Sequence, residues 1–183
     1  FSYPLDRDMT CLNLDNNNIT NLNGVIFSDN LEILNLYGNQ IVNLSVITFP
    51  LNLKILNLDE NLINNLNNVI FPNNLEGLLL EHNDIVNLYG ATFPQNLKEL
   101  KLSSNNLGSS RFEEVIFPNN LEILELSNIQ ISNVDDIIFP PNLKELDLSD
   151  NQISSIDGVI FPQNLKDLYL SYNQISSVDD VIF

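Results

Sequence analysis

The chain has 183 residues and a formal charge of −17, from 24 acidic against 7 basic side chains, with one Cys, one His and no Trp. That balance predicts no nucleic-acid interface and no anionic-membrane surface, because both need Lys and Arg to meet phosphates. One Cys excludes an intrachain disulfide framework and a Cys-based zinc site. No apolar run approaches the roughly 18 residues that mark a membrane-spanning helix, so direct membrane insertion is not expected.

The chain opens Phe1-Ser2-Tyr3-Pro4, with no basic start and no apolar run after it, so no signal peptide is expected. It does not begin with Met, which predicts a processed product or an excised piece. A Phe series then organises the sequence: Phe27, Phe49, Phe71, Phe93, Phe117, Phe139, Phe161 and Phe183, in steps of 22, 22, 22, 24, 22, 22 and 22. One more step back lands on Leu5. The units are 5–26, 27–48, 49–70, 71–92, 93–116, 117–138, 139–160 and 161–182. Each reads close to F-P-x-N-L-x-x-L-x-L-x-x-N-x-I-x-x-L/V/I-x-x-V/I/A-x. A period in this range is the mark of stacked repeats.

In L-x-L, as in Leu168-Tyr169-Leu170, alternation puts both Leu on one face and the middle residue on the other. One short strand cannot bury that Leu face alone, so stacked units are expected to build a parallel sheet. The Phe series and an Ile column (Ile19, Ile41, Ile63, Ile85, Leu107, Ile131, Ile153, Ile175) should stack inside. Pro residues and short units leave little room for helices, so the return segments should be loops, turns or short 3-10 pieces. The fifth unit carries two extra residues, with Phe112 in the usual Leu slot. An irregularity is therefore predicted around residues 108–130.

The recurring segment L-x-x-L-x-L-x-x-N-x-I resembles the highly conserved segment of the leucine-rich repeat family, and it covers nearly the whole chain. The 22-residue length is similar to the short repeats of internalins and of a phosphatase-1 regulatory subunit. The F-P-x-N-L opening is similar to variants in protist and oomycete leucine-rich repeat proteins, some of them receptor-kinase ectodomains. The resemblance implies a repeat solenoid, α/β in class, with a curved parallel sheet on its concave face and loops, turns or short 3-10 segments on its convex side. It implies one domain over 1–183 that recognises a partner on the concave face, within a larger extracellular or surface protein.

Asn is abundant, 32 of 183, and two columns explain part of that. Asn17, Asn39, Asn61, Asn83, Asn105, Asn151 and Asn173 occupy the ninth place of the segment, where a buried amide can bond the turn backbone of its own and adjacent repeats. Ile129 interrupts this ladder, which predicts a local cost of about 1–3 kcal/mol unless water or Asn128 substitutes. Asn30, Asn52, Asn74, Asn96, Asn120, Asn142 and Asn164 precede the strand and are assigned to local turn geometry. The residues Glu32, Lys54, Glu76, Lys98, Glu122, Lys144 and Lys166 alternate in sign up to the sixth, which predicts cross-strand pairs of roughly 0.2–1 kcal/mol each.

The outward strand positions give a concave face divided along its length. Repeats 2–4 carry Ile33, Tyr37, Ile55 and Leu79. Repeats 5–8 carry Glu99, Lys101, Glu125, Glu145, Asp147 and Asp167, with Tyr169 and nearby Tyr172. Apolar residues clustered on one face, beside carboxylates, predict a protein or peptide ligand of basic character, anchored at one end and steered at the other. No cofactor is predicted. A return-side acidic column (Glu113, Asp135, Asp157, Asp179) lacks calcium-loop spacing, so no metal site is predicted. Catalysis is not expected: His82 has no second His, Cys11 lies three strands from it, roughly 14 Å at strand spacing, and no nucleotide-binding or nucleophile motif occurs. The sequons Asn18-Ile19-Thr20 and Asn43-Leu44-Ser45 are no more than chance supplies and do not establish secretion. Two alternatives stay open. One is head-to-tail self-association through uncapped ends, with Phe183 opening a further unit and residues 1–4 as a minimal cover. The other is a cytosolic scaffold.

Overall fold

The computed structural model describes residues 8–109, 112–178 and 181. Residues 1–4, Asp179 and Phe183, which carry part of the expectations above, lie outside the described residues. There are eight three-residue strands: β1 (Cys11–Asn13), β2 (Ile33–Asn35), β3 (Ile55–Asn57), β4 (Gly77–Leu79), β5 (Glu99–Lys101), β6 (Ile123–Glu125), β7 (Glu145–Asp147) and β8 (Asp167–Tyr169). They form one parallel sheet in chain order. Each strand position faces its counterpart one repeat on, for example Ile33 beside Ile55 and Leu34 beside Leu56. The return segments contain only turns and, among the described residues, two 3-10 turns at Leu107–Ser109 and Phe112–Glu114.

The strands are short because the chain turns immediately after them. The residue before each ladder position is left-handed in all eight repeats: Asn16, Gly38, Glu60, His82, Ser104, Asn128, Asp150 and Tyr172 have φ between 51° and 64°. That conformation is uncommon for non-glycine residues and costs roughly 1–2 kcal/mol each. It is held because it aims the N–H at the next repeat. Glu60 N donates to the Glu81 carbonyl at 2.9 Å and His82 N to the Ser103 carbonyl at 3.0 Å.

Packing follows the repeat. Leu34, Leu56, Leu78, Leu100, Leu124 and Leu146 are fully buried, as are Leu36, Leu58, Leu80, Leu102, Leu126 and Leu148. Each such burial contributes about 1.5–3 kcal/mol. Phe rings stack between neighbours, with centroids 6.1 Å apart for Phe49–Phe71 and 5.9 Å for Phe139–Phe161. Every repeat covers the one before it. Leu165, Leu168, Leu170 and Ile175 are accordingly only half-buried, whereas Leu143, Leu146, Leu148 and Ile153 one repeat earlier are fully buried.

The Asn ladder supplies the polar half of this stacking. Asn61 Nδ2 donates to the Leu58 carbonyl (3.0 Å), the Asp59 carbonyl (3.1 Å) and, one repeat back, the Leu36 carbonyl (3.0 Å). Its Oδ1 accepts from Ile41 N at 3.0 Å. Asn39, Asn83, Asn105, Asn151 and Asn173 repeat the pattern. The second Asn column works differently from the local turns expected of it. Asn52, Asn74, Asn96, Asn120, Asn142 and Asn164 each donate Nδ2 to a carbonyl in the preceding repeat's turn, at 2.8–3.1 Å. These amides bind repeat to repeat as well.

The irregularity falls where the insertion and Ile129 meet. Phe112 is buried in the Leu slot, and Val115 N donates to its carbonyl at 3.0 Å, as Ile47 N does to Leu44. Ile129 is fully buried, and its N–H donates to Asn151 Oδ1 at 3.2 Å, which also accepts from Ile131 N. Asn128 does not substitute in the ladder; its Nδ2 donates to Ser104 Oγ at 3.2 Å. Gly108 is required here, because a Cβ would stand 2.6 Å from the Gln130 carbonyl oxygen.

The ladder makes a stability claim. Asn61→Ala strips partners from four buried backbone groups and is expected to cost about 3 kcal/mol in denaturant unfolding. Asn73→Ala, at an exposed position, should stay within about 0.5 kcal/mol. Equal losses at both positions would remove the ladder's structural role.

Candidate functional site: the concave sheet face

Strand alternation and register bring the predicted residues to one side of the sheet. Ile33, Ile55, Gly77 and Glu99 run side by side across β2–β5, and Asn35, Asn57, Leu79 and Lys101 beside them. Of the apolar set Ile33 is exposed, while Tyr37, Ile55 and Leu79 are half-buried. Gly77 lets them close up: a Cβ there would lie 2.9 Å from Ile55 Cδ1 and 3.9 Å from Leu79 Cδ1. Ile55 therefore leans over Gly77 toward Leu79, and the apolar residues form one low patch.

Several polar side chains on this face are committed to the backbone. Asn13, Asn35 and Asn57 each accept from the N–H two residues on, at 2.9–3.1 Å. Asp147 does the same for Ser149, accepting from its N–H at 2.8 Å and from its hydroxyl. Lys101 sits between Glu125 (2.7 Å) and Glu99 (3.5 Å). Burial alone would lower the Lys101 ammonium, but the hydrogen bond and charge of Glu125, with Glu99 and Glu81, hold it above its ordinary value. Glu99, Glu125 and Asp147 are thus partly satisfied within the chain.

The open end of the acidic patch is at repeats 7 and 8. Glu145 faces Asp167 across β7–β8, and Asp147 faces Tyr169. Neither Glu145 nor Asp167 has an ion-pair partner among the described residues. The charge of Asp167, then of Glu145, raises the Tyr169 phenol. Tyr169 is exposed, and Tyr172 beyond the strand is 82% exposed.

Two further acids, Asp59 and Glu81, belong to this face and were not singled out from the sequence. Asp59 is buried, and one carboxylate oxygen accepts from Glu81 N at 2.7 Å. Burial raises its carboxyl despite that bond. Glu81 is raised by burial and then by the Glu125 and Asp59 charges. The repeat period places these side chains one repeat apart, but nothing in the sequence signals that Asp59 is buried and Glu81 half-buried. Tyr37 hydrogen-bonds the Glu60 carboxylate, which raises its phenol.

The remaining candidates separate. His82 is exposed and holds a left-handed turn position, and Cys11 is exposed on β1. Lys54–Glu32, Lys98–Glu76 and Lys144–Glu122 pair at 2.9, 2.7 and 2.6 Å along the strands' leading margin, where they line a polar groove of about 1080 Å³. Among the described residues no group of three His, Cys, Asp or Glu is placed to hold a metal ion, and no helix is long and apolar enough to cross a membrane.

A family model for two copies of the leucine-rich repeat matches residues 141–182, and a single-repeat model matches residues 93–110. The chain's fold is that of a leucine-rich repeat solenoid. Its fold is similar to a Shigella effector leucine-rich repeat domain, with TM-score 0.73, 26% identity, and 93% of this chain and 72% of that one covered. It is similar also to YopM from Yersinia enterocolitica (TM-score 0.67, 23% identity, 96% and 40% covered). The functional domain of InlJ from Listeria monocytogenes, which includes a cysteine ladder, matches at TM-score 0.69 and 24% identity, with 93% and 36% covered. The chain thus spans less than half of the YopM and InlJ chains. A search of curated proteins finds no match.

Burial of Asp59 has a pH signature. The folded chain holds this proton more tightly than the unfolded chain. Ionisation therefore weakens the fold as pH rises from the unfolded carboxylate value near 4 through the raised folded value. Asp59→Asn keeps an acceptor for Glu81 N and removes the buried charge. Its melting temperature should exceed the parent's at pH 7, with the gap closing at pH 3. A lower melting temperature at pH 7 would show that the ionised carboxylate stabilises the fold.

Proposed function

We propose that this solenoid is a non-catalytic binding module for a protein or peptide ligand of basic character, recognised on the concave face. It would serve within a larger extracellular or surface protein such as a receptor ectodomain. The observation that carries the reading is the division of one continuous sheet face. An apolar patch on β2–β4, closed over Gly77, lies at one end, and Glu145 and Asp167, without ion-pair partners among the described residues, lie with Tyr169 at the other. Apolar and aromatic anchors supply most binding energy, while a one-signed field speeds and orients encounter. Glu99 and Glu125, paired with Lys101, lie between the two ends and favour register over attraction.

The two ends are separable by experiment. Glu145→Lys with Asp167→Lys should weaken a captured basic ligand at least tenfold at low salt and flatten its salt dependence. Ile33→Ser with Leu79→Ser should weaken it with the salt slope intact. A ligand indifferent to both pairs would place recognition elsewhere.

Head-to-tail self-association is the second reading: half-buried Leu165, Leu168, Leu170 and Ile175 suit a covering coil, whether one that follows in the same protein or the first coil of a second copy. Sedimentation over a hundredfold concentration range should then show growth beyond 20.7 kDa. A constant monomer mass rejects it.

A further inference from the structure

One position in the repeat is apolar yet faces water: the residue immediately before each Phe. Ile26, Ile70, Ile116, Ile138 and Ile160 are 67–89% exposed, and Thr48 and Thr92 fill the same place in repeats 2 and 4. In repeats 5–7 the flanking residues are anchored: Val115 and Phe117 are buried on either side of Ile116, Ile137 and Phe139 on either side of Ile138, and Val159 and Phe161 are half-buried beside Ile160. The isoleucines are therefore held outward rather than left loose. Single exposed apolar residues are ordinary, but a row of them at one repeat position is an interaction surface.

The row changes its company along the solenoid. Two and three residues ahead of it, repeats 5–7 carry Glu113 and Glu114, Asp135 and Asp136, and Asp157, all exposed. Repeats 1–4 carry no charge at those places. The five described basic residues, Lys54, Lys98, Lys101, Lys144 and Lys166, all lie on the strands or along their leading margin. The return face of repeats 5–7 is thus an apolar row beside an acidic row. Between repeats 5 and 6 the insertion opens a notch of about 130 Å³, lined by Phe112, Ile131, Ile137, Glu113 and Asp136 among others. Apolar walls with carboxylates suit the stem and tip of a lysine.

Charge and geometry select the occupant. A second copy would set acidic row against acidic row, with −17 on each chain. An extended strand offers only one row of side chains to a surface, since alternate residues point away. An amphipathic helix offers an apolar row and a charged row side by side. Its pitch of about 5.4 Å is close to the repeat spacing here, where stacked Phe rings next to the row are 5.9–6.3 Å apart.

We propose that the return face of repeats 5–7 docks a cationic amphipathic helix of a partner protein, its apolar side on Ile116, Ile138 and Ile160 and its Lys or Arg side chains on the carboxylates beside them. This face is independent of the concave one, so the module binds on two sides.

The test uses a fluorescent synthetic 18-residue helix of Leu and Lys with its Leu on one face, titrated against the whole chain. A scrambled peptide of the same composition is the control. The helix should bind at least tenfold tighter than the scramble. Ile116→Ser/Ile138→Ser/Ile160→Ser should weaken it at least tenfold without lowering the melting temperature, because these side chains are exposed. Glu113→Gln/Asp135→Asn/Asp136→Asn should weaken it and flatten its salt dependence. Glu145→Gln/Asp167→Asn on the concave face should change it less than twofold. Equal binding of helix and scramble overturns the proposal. So does loss through the concave pair alone. A stripe variant that instead abolishes self-association, or binding to zwitterionic phosphatidylcholine vesicles, while leaving the helix bound, assigns the row to a second copy or a lipid surface and equally overturns it.

Discussion

Everything in this molecule depends on one constraint: a coil of about 22 residues cannot bury its own apolar face or satisfy its own turn. The neighbouring coil must do both. Leu and Phe columns meet the first need, and amides meet the second. A ladder Asn donates Nδ2 to its own turn and to the preceding repeat, and its Oδ1 accepts from that repeat as well, so the same side chain that shapes a coil also joins it to its neighbour. The second Asn column adds a further link at the other end of each strand. Sequence identity between the structural neighbours and this chain is low, yet the fold coincides, because what must be kept is the period and the chemistry of a few places.

The same constraint frees the rest of the surface. Strand middles and the place before each Phe face outward whatever they hold, so charge and apolarity can be distributed along the solenoid at little cost to its stability. The concave face grades from Ile33 and Leu79 to Glu145 and Asp167. The return face grades from neutral turns to the carboxylates of repeats 5–7. Both acidic stretches fall in the same half of the chain. Lys101, placed between Glu99 and Glu125, moderates the concave one.

Much of this was legible before any coordinates. A fixed step between Phe residues gives the coils, and L-x-L gives the sheet and its inward face. The position of Phe112 and the missing Asn at 129 locate the irregular joint. What was hidden depended on where a side chain's own bonds go. Asn52 and its equivalents look like local turn formers, and only the approach of the preceding turn turns them outward to another repeat. Asp147 looks like a free surface acid, but Ser149 occupies it. In the run Val-Ile-Phe, three apolar residues look alike, and the fold alone decides that the middle one faces water. Asp59 appears as one more outward acid until its burial is known.

The joint at Ile129 has a consequence for how the molecule comes apart. Elsewhere adjacent coils are tied by the ladder amides, buried in the middle of the array and part-buried toward its ends. Here the ties between repeats 5 and 6 include Ser127 to Ser103, Asn128 to Ser104 and Gln130 to Asn106, nearer to solvent. In a linear array whose cohesion is a sum over neighbouring pairs, the least shielded pair sets the place of division. Repeats 1–5 and repeats 6–8 would then be the two blocks into which the array divides first. Fluctuation at the seam would vary the curvature of the sheet there while leaving each block intact, a hinge made by replacing one amide with a hydrocarbon.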